Sequence, residues 1–195
     1  MTAENDRVIR SFIAMEINDE VRDGLFRAQV SLKKSGAKVA WVAPQHIHLT
    51  LVFLGTVFEA KVADLKPVLD EVASGFSVFG FEVKDVGFFG PAKAPKVVWA
   101  GIDDETQSIR DIQQRLSERV AALGITLEDR PFRPHLTLGR VRSTFGVDRL
   151  TSALYSVKSN DFGRVDVKRL LLMQSHMEPQ GVRYSILHEA SLKGA

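Results

Sequence analysis

At 195 residues, with 45% hydrophobic and 26% charged residues, the chain can bury a sizeable core and has the composition of an ordinary globular protein. It contains no cysteine, which excludes disulfides, thiolate metal sites and a cysteine nucleophile, and suits a cytoplasmic location. The net charge of +2 permits an acidic ligand without demanding one, while Met1–Arg7 lacks a signal-peptide layout and no apolar run is long enough to cross a membrane, so no membrane partner is expected.

Arg10–Ile17 is rich in β-formers and reads as a strand. Asn18 or Asp19 can cap a helix over Glu20–Lys34, whose Val21, Leu25, Ala28 and Leu32 recur at helical spacing and which Ser35-Gly36 ends. A short strand, Lys38–Val42, precedes the turn at Pro44-Gln45 and the strand His46–Leu54, closed by Gly55. Ala60–Ala73 has a helical stripe, with Pro67 expected to kink it or to mark the junction of two helices. Phe76–Val86 alternates as a strand, Gly87–Pro91 bends, Ala92–Lys96 is a basic loop, and Val97–Ile102 is again a strand. A helix over Glu105–Leu123 turns Ile109, Ile112, Leu116 and Val120 inward and stops at Gly124. Beyond it come a strand opening at His135, a short helix Asp148–Tyr155, and the strands Arg164–Gln174 and Val182–Leu192, joined by the turn Glu178–Gly181.

One tetrad occurs twice. His48-Leu49-Thr50-Leu51 returns as His135-Leu136-Thr137-Leu138, an offset of 135 − 48 = 87 residues. The same offset carries Phe12 to Trp99, Met15 to Ile102 and Glu16 to Asp103, and each histidine is preceded by strand, helix and short strand. An internal duplication explains this economically. Two lobes related by a pseudo-twofold axis would bring the two histidine strands face to face across a cleft. Residues 1–195 would form a single two-lobed domain, because no linker or low-complexity segment divides them.

Strand alternation places His48 with Thr50, and His135 with Thr137, on one face of each strand, with leucines behind. Two imidazoles near neutral pH can hold one neutral base and one protonated acid at once, which in-line cleavage of a phosphodiester requires. The threonine hydroxyls can donate to non-bridging oxygens. Arg140, five residues after His135, falls on the opposite face by strict alternation, but a bend at Gly139 would let its guanidinium grip a phosphate. Phe132 lies close enough to His135 to stack on a base. Lys93, Lys96, Arg130 and Arg133 are candidates for a basic rim, with a solvated surface as the plainer reading. A zinc hydrolase built on His46 and His48, with His135 as third ligand, is a rival reading; a lack of assignable carboxylate partners weighs against it. His176 and His188 have no motif around them and are read as structural.

At these residues the sequence resembles the two-histidine phosphoesterases, and within them the RNA 2′,3′-cyclic phosphodiesterase branch, also called bacterial 2′-5′ RNA ligases. The likeness runs from Arg10–Ala14 through Trp41-Val42, His48–Gly55, Gly87–Gly90, Val98–Gly101, Pro131–Arg140 and Ser175–Tyr184, with the proline before His135 and the arginine after it the most specific piece. The resemblance implies an α+β fold, bilobal and pseudo-twofold, with two antiparallel sheets lining a central cleft and helices outside, and metal-independent hydrolysis of a terminal 2′,3′-cyclic phosphate to a 2′-phosphate without cofactors. It also implies a reversible, ATP-independent 2′-5′ joining of RNA. Its partner would be RNA ending in a 2′,3′-cyclic phosphate, tRNA fragments included, bound by a monomer. Thr50, Thr137 and Arg140 would hold the phosphate, His135 would act as base and His48 as acid. Relatives with the same residues act on 2′-5′ oligonucleotides or on ADP-ribose cyclic phosphate, which stand as alternatives.

Overall fold

The first strand, β1 (Val8–Glu16), passes through the middle of the molecule, and five of its residues are buried in succession, Phe12 to Met15 among them. The structure, a computed structural model, describes residues 7–157, 161–179 and 181–195. Asn18 ends β1 and starts α1 (Asp19–Lys33) by accepting from the Val21 amide at 3.0 Å, which satisfies one of the helix's free N–H groups. Val21, Leu25, Ala28 and Leu32 form the buried stripe of α1, as their spacing predicts.

The chain then makes β2 (Val39–Trp41), a 3-10 turn over Pro44–His46, and β3 (His48–Phe58). Helix α2 (Ala60–Ser74) runs through Pro67 as a single element, not as two helices meeting at a junction. The reason is position: Ala63, whose carbonyl loses its partner at Pro67, is exposed, so water can take the bond. Strand β4 (Phe79–Phe89) extends through Gly87, Phe88 and Phe89, which the sequence reads as a bend; the turn begins only at Gly90, whose φ is 101°. There follow β5 (Val97–Asp103), α3 (Ser108–Ala122), β6 (His135–Val141) and α4 (Val147–Val157).

The expected strand Arg164–Gln174 is in fact two. β7 (Asp161–Val167) pairs with β4, whereas β8 (Arg169–Glu178) pairs with β1 and with β9 (Gly181–Ser191). The change of partner occurs at Lys168, amid β-forming residues with no glycine or proline to mark it. Of the predicted turn Glu178–Gly181, Gln180 lies outside the described residues; Glu178 and Gly181 face each other across it.

Among the described residues all nine strands belong to one sheet, ordered β7-β4-β5-β6-β3-β1-β8-β9, with β2 on β6 as an extra strand. The order reads as two mirrored sets of four, joined where β6 meets β3 at the pair Leu49↔Leu136. The two expected sheets are thus halves of a single sheet, and the one-residue passage from β7 at one end to β8 in the other half requires that sheet to curl. Helix α1 packs on β7 and α4, while α3 packs on β3 and α2, so the helix of each repeat lies against the other repeat's half. One cluster of buried side chains draws from both halves.

The repeats are two residues out of step at their first strand. Thr50 faces Ala14, whereas Thr137 faces Trp99, so the residue matching Ala14 is Trp99, an offset of 99 − 14 = 85 instead of 87. A shift of two keeps every side chain on its face, which is how the duplication tolerates it.

Candidate active site

Leu49 and Leu136, the pair that joins the halves, are both fully buried. Alternation then turns their neighbours His48, Thr50, His135 and Thr137 to the opposite, concave face, and all four are half-buried. Extending the register by one residue sets His48 across from Thr137 and Thr50 across from His135. The two histidines are diagonal neighbours, which in a regular antiparallel pair lie about 7–8 Å apart.

Both imidazoles are held alike. His48 Nδ1 donates to the His46 carbonyl at 2.8 Å, and His135 Nδ1 donates to the Arg133 carbonyl at 2.7 Å. These bonds place the hydrogen of the neutral ring on Nδ1 and leave each Nε2 free. The flanking rings differ. Phe12 stacks on His48 with centroids 4.8 Å apart, and Tyr184 meets it edge-on at 5.2 Å. Against His135 stands Phe89, edge-on at 4.9 Å. Burial pushes the His48 imidazole down to about 4, and burial followed by the Arg140 charge also lowers that of His135. The Tyr184 hydroxyl is raised by burial, opposed by the charges of Arg140 and Arg10.

Arg140 reaches this face through a bulge. In β6, Gly139 pairs with Val98 and Thr137 with Trp99, so Leu138 is left without a partner and the alternation skips one residue. Leu138 and Gly139 are both buried, and Arg140 emerges exposed on the histidine side, where its charge acts on His135 and Tyr184. Gln29 of α1 supports the bulge from below, its Nε2 donating to the carbonyls of Leu138 at 2.9 Å and Val42 at 2.8 Å.

Phe132 lies in the coil before β6, packed partly against the core, while Phe89 supplies a ring against His135 itself. His46 ends the 3-10 turn instead of starting β3, with its ring edge-on to Tyr184 at 5.1 Å. Among the described residues no group of three or more His, Cys, Asp or Glu could hold a metal ion, so the donor set of the zinc reading is not assembled. His188 bonds Asp70 and His176 bonds Ser185, each at 2.7 Å, away from the pair. The residues that pattern reading missed are Phe12, Phe89 and Tyr184 as ring neighbours, and Gln29. Only Gln29 carried a signal, being polar and adjacent to Ala28 on the helix's inward stripe.

A sequence model of the LigT-like phosphoesterases matches this chain twice, over residues 15–99 and 101–184. The chain belongs to that family. The double match divides the sequence as the repeated tetrad does. Among similar proteins, the RNA 2′,3′-cyclic phosphodiesterase of Thermotoga maritima is 31% identical over 95% of this chain and 97% of its own length. The enzyme of the same name from Archaeoglobus fulgidus is 32% identical over 92% of this chain and 98% of its own. Of solved structures, TT0787 of Thermus thermophilus has 27% identity and a TM-score of 0.79, covering 95% of this chain and 99% of that one. E. coli LigT, complexed with 3′-AMP, has the same fold, with a TM-score of 0.77 at 23% identity over 96% of this chain and 99% of that one.

Proposed function

We propose that this LigT-like phosphoesterase is an RNA 2′,3′-cyclic phosphodiesterase that opens a terminal cyclic phosphate by acid–base catalysis between His48 and His135. The observation that carries the reading is the placement of two tautomerically matched imidazoles, each with its threonine, on one face of two joined strands. In the reaction one Nε2 takes a proton from water as its oxygen bonds to phosphorus. The P–O3′ bond breaks in line, the other Nε2 gives a proton to O3′, and the product keeps a 2′-phosphate. Thr50 and Thr137 donate to the non-bridging oxygens, and Arg140 supplies the charge that offsets them.

The cleft is not symmetric in its affinity for a proton. His48, more deeply buried among rings, is the harder to protonate, so a resident proton goes first to His135. With His135 as base and His48 as acid, the negative charge of the bound substrate raises the His48 imidazole and loads it with the proton it gives to O3′. The family similarity to proteins named RNA 2′,3′-cyclic phosphodiesterase supports RNA as the substrate class.

The test is incubation with a short oligoribonucleotide ending in a 2′,3′-cyclic phosphate, EDTA present, with the product phosphate located by chromatography. A terminal 2′-phosphate is the expected product. A 3′-phosphate product, no turnover, or activity abolished by EDTA and restored by a divalent ion would each overturn the proposal.

A further inference from the structure

We infer that the outward face of the β2–β6 ribbon is the track along which the RNA strand approaches the cleft, with Lys38 and Arg142 taking the phosphates next to the reacting one. The inference rests on the RNA reading above and extends it from the terminal phosphate to the body of the substrate.

The register sets the faces. Val39 pairs with Val141 and Ala40 with Arg140, and the Arg142 amide donates to the Lys38 carbonyl at 2.8 Å. Val39 and Val141 pack against the core, so their neighbours Lys38, Ala40, Arg140 and Arg142 take the other side of the ribbon. All four are exposed. This is the side on which Arg140 acts on His135, so the ribbon's outer face continues the cleft. Alanine between the cations leaves it unobstructed. Arg140 and Arg142, two residues apart where the pairing runs one residue past the end of β6, are separated by about 6.8 Å, close to the spacing of consecutive phosphates in an extended nucleic-acid strand.

None of Lys38, Arg140 or Arg142 forms an ion pair among the described residues. Further out, the Arg149 guanidinium lies beside Gly36, two residues before Lys38. The other half offers no such track. The residues 87 before Arg140 and Arg142 are Phe53 and Gly55, and the one 87 after Lys38 is the buried Ile125. Its cation near the histidines, Arg10, acts on Tyr184 beside His48, within the cleft itself. A row of unpaired cations on one half only gives the bound strand a direction.

The experiment compares the full-length chain with its Lys38→Ser/Arg142→Ser variant in two measurements. The first is binding of a fluorescent oligoribonucleotide ending in a 2′-phosphate, by anisotropy over a salt series. The second is turnover of a mononucleoside 2′,3′-cyclic phosphate, which is too short to reach Lys38 or Arg142. The variant should bind the oligonucleotide about tenfold more weakly at moderate salt. Its slope of log K against log salt should be shallower by about 1.4, at about 0.7 for each single-strand phosphate that a cation no longer neutralises. Mononucleotide turnover should be unchanged, which also shows that the variant folds. An unchanged affinity and slope, or a mononucleotide rate that falls as far as oligonucleotide binding, overturns the track. If the parent protein turns over neither substrate, the catalytic proposal fails, while the salt slopes still decide the track.

Discussion

Protonation of His48 should destabilise the folded protein, by an amount the site's geometry sets. The ring lies between the face of Phe12 and the edge of Tyr184, and burial lowers its proton affinity from an ordinary 6.5 to about 4. At 1.36 kcal/mol per pH unit this gap corresponds to about 3 kcal/mol. Between those two values the unfolded chain binds the proton and the folded chain does not, so stability is full above about pH 6.5 and is lost as pH falls towards 4. His135, also lowered, contributes with the same sign. A loss of about 3 kcal/mol is a large share of the roughly 5–15 kcal/mol that holds a typical domain together.

The assay is urea unfolding followed by Trp41 and Trp99 fluorescence at a series of pH values, for the parent and for His48→Asn. The parent should lose most of the predicted stability across the window, and the variant should lose only the part due to the other titrating groups. NMR titration of the imidazole protons gives the same quantity directly. If His48 titrates near 6.5 in the folded protein, and His48→Asn leaves the pH dependence of stability unaltered, the burial argument is refuted.

Four further outcomes follow from the site. His48→Ala and His135→Ala should each lower kcat/KM on an oligonucleotide cyclic phosphate by about 10²–10⁴, the range of one lost proton-transfer group, and undiminished turnover in either would remove that histidine from the chemistry. Arg140→Lys should lower kcat/KM by about tenfold, because an ammonium keeps the charge but not the two-point grip; steady-state kinetics reads it. Gln29→Leu removes both bonds beneath the bulge and should cost about 2 kcal/mol in urea unfolding, with a rise in KM as Arg140 loses its support. Gly87→Ala would drive a methyl into the Trp99 indole at Cζ2, so the ring must shift; a stability loss of about 1–3 kcal/mol is expected by thermal unfolding.

Much of this site is legible in the letters because its determinants are local. Period-two alternation is enough to put His48 with Thr50 and His135 with Thr137, and the repeat is enough to bring the two strands into one argument. What the letters hide is decided by pairing. Lys168 ends one strand and begins another only because the residues before it find β4 and those after it find β1, and the segment's own β propensity is the same on both sides. The rings around His48 come from β1 and β9, far apart in sequence, so no local pattern announces them. Phe89, far from His135 in sequence, lies against its ring in space.

The bulge is the most consequential of these hidden features, and it is itself duplicated. In β3 the partners of Ile13 and Ala14 are Val52 and Thr50, which skips Leu51; in β6 the skipped residue is Leu138, and 138 − 51 = 87. Each half therefore reverses its alternation at the same place, and the next side chain emerges on the histidine face. In the first half that side chain is Phe53, 46% exposed and opposite Phe12; in the second it is Arg140. Repeated backbone geometry supplies two equivalent positions beside the histidine pair, and substitution at one of them from an aromatic ring to a guanidinium breaks the symmetry. At these two equivalent positions a phosphate held between the halves meets a guanidinium on one side and an aromatic ring on the other. The duplication accounts for the paired histidines, and this substitution, together with Phe12 and Tyr184 packed on His48 and Phe89 on His135, accounts for their unequal surroundings.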